Sequence, residues 1–209
     1  MDDSYKTVAK FSKACFTEKK SEFIASIAPV KTEGEAAAFI SGIRLTHKKA
    51  RHNCYAYILR ENGVSRRGDD GEPGKTAGTP IFEVLRKEGL FDVVCVVTRY
   101  FGGILLGASG LSRAYGKAAA EAVKAAGVCV MRKSRTLRVR PDYARYGRIA
   151  ALIAERGGMV TGESFADTVE IIVTFPEEDA DVFAEYSDIV EIIQKGYCNF
   201  GENVDFLKK

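Results

Sequence analysis

Two glycine-rich segments hold most of the residues whose types and spacing could do chemistry. The first, residues 66–80, reads Arg-Arg-Gly-Asp-Asp-Gly-Glu-Pro-Gly-Lys-Thr-Ala-Gly-Thr-Pro. Asp69, Asp70 and Glu72 place three carboxylates within four residues, an oxygen-rich set of the kind a hard cation such as Mg²⁺ takes. A metal-assisted phosphate or peptide hydrolase would be built on them. Asp-Asp-Gly and Glu-Pro-Gly are also turn-forming sequences, and Arg66, Arg67 and Lys75 stand close enough to neutralise the acids. The turn is the preferred reading, and no metal is assigned. Residues 71–76 end in Lys-Thr but lack the glycine spacing of a phosphate-binding loop and its uninterrupted strand–loop–helix setting.

The second segment, residues 98–110, leaves an apolar strand and enters a helix, where unpaired backbone N–H groups and the helix dipole attract anions. Ser109 is placed to cap that helix, Arg113 falls in its first turn and Lys117 follows one turn later. Arg99 beside Tyr100 and Phe101 sets a cation next to ring faces, the combination that grips phosphates and unstacked bases. Gly102, Gly103 and Gly107 flank amides that face the same ligand. Lys48, Lys49 and Arg51 form a third basic cluster, and Lys75 lies in the first loop. Together these residues are the candidate phosphate-binding set, expected to converge in a single cationic cradle. No catalytic residue is assigned: the two histidines, His47 and His52, have Lys or Arg neighbours and no nucleophile signature beside them.

Charge supports a polyanion for the first half. Through Arg135 there are 23 Lys and Arg against 14 Asp and Glu, whereas the remainder has 8 against 14. The acidic second half is a candidate surface for a protein partner. The five cysteines include no CxxC pair and sit among apolar or aromatic neighbours, as buried reduced thiols do. Asp2, Asp3, Lys6 and Lys10 interrupt any leader-like apolar run, and the longest apolar stretches are too short to span a bilayer. A cytoplasmic protein without membrane contact or cofactor is expected.

The elements that must hold these loops follow from periodicity. Strands are expected at residues 5–11, 21–30, 52–60 and 91–98, the last apolar on both faces. Helices are expected at 33–49, from Pro80 to about 88, and at 111–126, where Ala114, Ala118, Ala119 and Ala122 share the packing side. Residues 64–79 read as loop. Short strands at 128–131 and 136–140 bracket a charged stretch that marks the domain boundary. Beyond it come a helix carrying Tyr146, Ile149, Ala150 and Ile153 on one face, strands at 159–164 and 168–175, a helix from Pro176 and a strand near 191. That βαββαβ order is ferredoxin-like.

Several blocks carry a family resemblance: Lys19-Lys20-Ser21-Glu22-Phe23, Arg51-His52-Asn53-Cys54-Tyr55-Ala56-Tyr57, Asp69-Asp70-Gly71-Glu72-Pro73, Ala77-Gly78-Thr79-Pro80, and Val97-Thr98-Arg99-Tyr100-Phe101-Gly102-Gly103 through Leu106-Gly107 to Leu111. With these the chain resembles the YigZ/IMPACT family over most of its length. The resemblance implies an α+β protein: a ribosomal-protein domain-2-like α/β domain, set at 1–134, then a ferredoxin-like domain at 135–209. It also implies a layout similar to the last two domains of elongation factor G. Eukaryotic relatives regulate translation by competing for an activator of a starvation-responsive kinase, and they carry a different accessory domain. The resemblance supplies no catalytic residues. The expected function is therefore a non-catalytic, translation-associated regulator that binds RNA or the ribosome, with the hydrolase and a protein-interaction module as alternatives.

Overall fold

The structure, a computed structural model, describes residues 4–201 together with 203 and 204. The chain divides into two compact units that part between Cys129 and Val130. In the first unit the elements run β1 (Tyr5–Val8), β2 (Ser12–Glu18), β3 (Ser21–Pro29), α1 (Glu33–Thr46), β4 (His52–Ile58), a 3₁₀ turn at Glu61–Gly63, β5 (Ser65–Gly68), α2 (Gly78–Lys87), β6 (Val93–Tyr100) and α3 (Ala108–Ala126). Five strands pair antiparallel in the order β2-β3-β6-β4-β5.

The central strand, β6, shows why the sheet can have two cores. Its apolar run is buried almost end to end, and successive side chains alternate between faces. Val93, Cys95 and Val97 join a core with Phe23, Ile81, Leu85 and Tyr115 beneath α2 and α3. Val94 and Val96 join Ile40 and Ile43 beneath α1. On α3 the small residues Ala114, Ala118, Ala119 and Ala122 are all buried, so the helix backbone approaches the sheet closely, and the fully buried Tyr115 reaches inward.

In the second unit, β7 (Val128–Val139) is followed by α4 (Tyr143–Glu155), β8 (Met159–Phe165), β9 (Val169–Pro176), a 3₁₀ segment (Glu177–Tyr186) and β10 (Val190–Cys198). The strands pair antiparallel in the order β10-β7-β9-β8. The last strand flanks the first, and the third inserts between first and second, which is the ferredoxin-like arrangement expected. Leu137, Val139, Ile149, Ile153, Ile171, Val173 and Phe175 form its core. Asp142 accepts the backbone N–H of Arg145 at 2.8 Å and caps α4. In the first unit, β1 and β11 (Asn203–Val204) flank the opening residues of β7.

The sequence-level reading differs from the structure in several places. The first strand stops at Val8, and β2 was not anticipated. It is an edge strand whose half-buried Ser12, Ala14 and Phe16 alternate with exposed Lys13, Cys15 and Thr17, so its apolar signal is weak. The segment read as loop contains β5, another edge strand, disguised by its exposed Arg66 and Arg67. The helix that follows begins at Gly78, before Pro80. The two short strands around the charged stretch are one continuous β7, because paired strands supply its hydrogen bonds. Residues 177–186 wind as 3₁₀ helix rather than α-helix.

Ile81 is fully buried between α2 and the sheet. Replacing it with alanine is expected to destabilise the protein by about 2–5 kcal/mol through lost transfer energy and a residual cavity. The urea midpoint should fall accordingly, and an unchanged midpoint would contradict this packing.

Candidate nucleic-acid interface

Arg99 lies at the end of β6, on the α3 side of the sheet, and only 5% of its surface is exposed. Its Nη1 donates to Glu72 Oε1 at 2.7 Å, and the pair has side-chain exposures of 6% and 4%. Its Nη2 donates to Ser21 Oγ at 3.3 Å. The guanidinium is 5.6 Å from the Phe23 ring centroid and 5.4 Å from that of Phe101, positions in which a cation is attracted by ring faces. Tyr115 donates its hydroxyl to the same Glu72 oxygen at 2.9 Å, and burial, then Cys54 and Glu72, holds that phenol in its protonated form. Cys54 completes the cluster against Tyr115 and the Asp69 carbonyl, its thiol pushed up to about 12 by burial. It is therefore a poor nucleophile near neutrality.

This cluster corrects the reading of Arg99 as a free phosphate grip. The expected neighbour Tyr100 is also elsewhere: strand alternation sends it to the α1 face, where its hydroxyl meets His47 Nδ1 at 3.0 Å. Phe101, just past the strand, takes its place beside Arg99. Gly102 is required by close approach, since a Cβ there would lie 2.0 Å from the Lys20 carbonyl; its N–H donates to Ser21 Oγ at 3.2 Å.

The three acids of the first loop have separate partners. Asp69 Oδ2 accepts the Lys75 N–H at 2.9 Å, and Oδ1 accepts those of Ala77 and Gly78 at 3.0 and 2.8 Å. It thereby caps α2, whose own N-cap residue, Ala77, has no side-chain oxygen. Asp70 accepts the Asn53 N–H at 2.7 Å and pairs with Arg44 at 2.9 Å. Glu72 goes to Arg99. Among the described residues no group of three His, Cys, Asp or Glu is arranged to hold a metal ion, and the carboxylates proposed for one diverge.

The remaining candidates divide rather than forming one cradle. Arg51, Arg99 and Gly107 line a cleft of about 330 Å³ with His52, Glu72 and Leu106. Arg113 and Lys117 line a neighbouring cleft of about 340 Å³ with Phe16, Glu18, Lys19, Leu106 and Gly110. Leu106 belongs to both walls. Lys48, Lys49 and Lys75 are exposed but line neither cleft. Gly103 turns with φ +83°. Ser109 does not cap α3: the helix starts one residue earlier, with Gly107 at the N-cap position in a left-handed φ of 75°, and among the described residues no side chain caps it. Sequence reasoning missed Lys19 and Phe16, because β2 and its turn into β3 went unseen. It left His52 unassigned, although the Arg51-His52 step into β4 lies on the cleft wall.

The acids of the second unit largely face arginines of their own sheet. Glu170 lies 3.5 Å from Arg138 and 2.9 Å from Arg140, Glu191 lies 2.9 Å from Arg138, and Glu177 and Asp181 meet Arg135. No described helix is long and apolar enough to cross a membrane.

Comparison with known proteins agrees with the fold. A family profile described as Impact N-terminal domain matches residues 19–123, and one described as a domain of unknown function (DUF1949) matches 139–186. The chain is 40% identical over 184 residues to the IMPACT family member YvyE of Bacillus subtilis, covering 88% of this chain and 85% of the relative. The chain belongs to the IMPACT family. It is also 33% identical to the family member YigZ of Escherichia coli, over 76% of this chain and 79% of the relative. A family protein of Dictyostelium discoideum, the protein IMPACT homolog, is 43% identical over 97 residues, 44% of this chain and 27% of that protein. A crystal structure titled as that of a hypothetical protein superposes with a TM-score of 0.62 at 28% identity, over 95% of this chain and 98% of the other.

Asp69 gives the loop a pH signature. Burial raises its carboxyl, but the N–H groups of Lys75, Gly78 and Ala77 together outweigh burial and hold it below its ordinary 3.8. A depressed folded-state value stabilises above the unfolded value and is lost as pH falls through the folded one. Stability should therefore decline on acidification below about pH 4, and Asp69→Asn should flatten that decline in a urea-midpoint series. Equal pH slopes for both proteins would contradict the capping role.

Proposed function

We propose that the protein is a non-catalytic, translation-associated regulator that binds RNA, free or within the ribosome, through its N-terminal unit. The observation that carries this reading is the cleft in which Lys19, Arg113 and Lys117 line one wall system beside the uncapped start of α3. Lys117 Nζ stands 4.4 Å from the Phe16 ring centroid, so cations and an aromatic face are presented together. Three cations there face Glu18 and Glu121, the latter 3.8 Å from Lys117 Nζ, so the balance stays positive. Phosphates are drawn by such charge and by open helix amides, while bases stack on rings. The basic excess of the first half and the resemblance to a family whose eukaryotic members regulate translation point the same way. A hydrolase is less well supported, because Asp69, Asp70 and Glu72 are each committed to a different structural partner.

Fluorescence anisotropy with a single-stranded RNA tests the proposal. If Lys19, Arg113 and Lys117 each neutralise a phosphate, log K against log salt should have a slope of about −2 from this cleft, at about −0.7 per contact. The pair Arg113→Ala and Lys117→Ala should make the slope shallower by about 1.4. Absence of salt-dependent binding, or an unaltered slope in the double variant, would overturn it.

A further inference from the structure

The cleft beside Arg99 differs chemically from the cationic one. Much of its wall is apolar, from Pro73, Phe101, Leu105 and Leu111, and its ionisable groups gather at one side, the mixture that small-molecule pockets use to hold a flat body by a polar edge. Two residues of its wall, Glu72 and His52, carry hydrogen-bond acceptors. Glu72 is 9% exposed, and Arg99 and Tyr115 both bond its Oε1. Among the described residues Oε2 has no hydrogen-bond partner, yet it is not sealed from solvent. His52 Nδ1 lies 2.9 Å from the Asp70 carbonyl oxygen, an acceptor, so Nδ1 carries the proton and Nε2 of the neutral ring has the lone pair. Nε2 lies 3.9 Å from Glu72 Oε1. A carboxylate oxygen on a cleft wall that meets water rather than a protein donor can exchange that water for a ligand's N–H.

Two neighbouring acceptors require two neighbouring donors. Among the four RNA bases only guanine presents them on one edge, as N1–H and the exocyclic N2–H₂. Adenine and cytosine set an acceptor beside their amino group, and uracil flanks its one N–H with carbonyls. The charge on Glu72 is balanced by Arg99, so the base meets a neutral floor. We propose that this cleft seats one unstacked guanine of the bound RNA, with Glu72 Oε2 and His52 Nε2 receiving its Watson–Crick edge and Phe101 lying against its face. Arg51 on the same wall meets an adjoining phosphate. The proposal rests on the RNA reading above and adds the base that the site selects.

Two uridine-rich oligonucleotides, one carrying a single guanine and the other adenine at that position, test it in the full-length protein. The guanine form should bind about tenfold tighter or better. Glu72→Gln should remove that preference, and so should Ala108→Phe, which narrows the cleft from an exposed position without touching the ion pair. Guanosine monophosphate, but not adenosine monophosphate, should shift the amide resonances of His52 and Phe101 in the unmodified protein. Salt-dependent binding of both oligonucleotides with equal affinity would overturn the guanine site and leave the RNA reading standing. Guanosine monophosphate shifts without binding of either oligonucleotide would support the site and overturn the RNA reading. Shifts confined to other residues would overturn the guanine site.

Discussion

The buried ion pair between Glu72 and Arg99 is the constraint on which the rest of the N-terminal unit depends. Two charges held at side-chain exposures of 6% and 4% carry a desolvation cost that only close geometry and further hydrogen bonds offset. Ser21, Tyr115 and the rings of Phe23 and Phe101 provide that setting. Four separate segments are thereby fixed to one another: the turn into β3, the loop before α2, the end of β6 and the inner face of α3. Removing either charge would leave the other buried and alone. Measured against well-packed apolar residues, a buried ion pair adds little net stability; in this structure its hydrogen bonds tie those four segments together.

What those loops then present follows from the arrangement. With Arg99 turned inward and Gly102 laid against the Lys20 carbonyl, the segment 103–107 stands between two clefts that share Leu106. One is cationic, lined by Lys19, Arg113 and Lys117, and suited to phosphates. The other combines apolar walls with open acceptors, suited to a base edge. A binding surface for single-stranded nucleic acid needs both kinds of contact, since phosphate contacts position the strand and base contacts choose it.

Much of the fold was legible in the sequence because its signals are periodic. The continuous apolar run of β6, the small-residue face of α3 and the βαββαβ order of the second unit each reflect burial on a definite face. Edge strands β2 and β5 were not legible, because a strand paired on one side carries polar residues where a central strand carries valine. The candidate site was legible only in part. Loop composition located Arg99, Gly102, Gly107 and Arg113, but local sequence cannot tell an arginine facing solvent from one paired with an acid 27 positions away. Strand alternation alone could have separated Tyr100 from Arg99. The missing strand β2 hid Lys19 and Phe16, and with them the cleft that brings Arg113 and Lys117 together.

Ultraviolet cross-linking of bound single-stranded RNA, followed by mapping of the cross-linked peptides, addresses the central claim most directly, because it reports contact without presupposing which charge matters. Cross-links should concentrate at Phe16 and Phe101, the aromatic residues that line the two clefts. Cross-links confined to α1, to β5 or to the second unit, with none at either aromatic residue, would contradict the account.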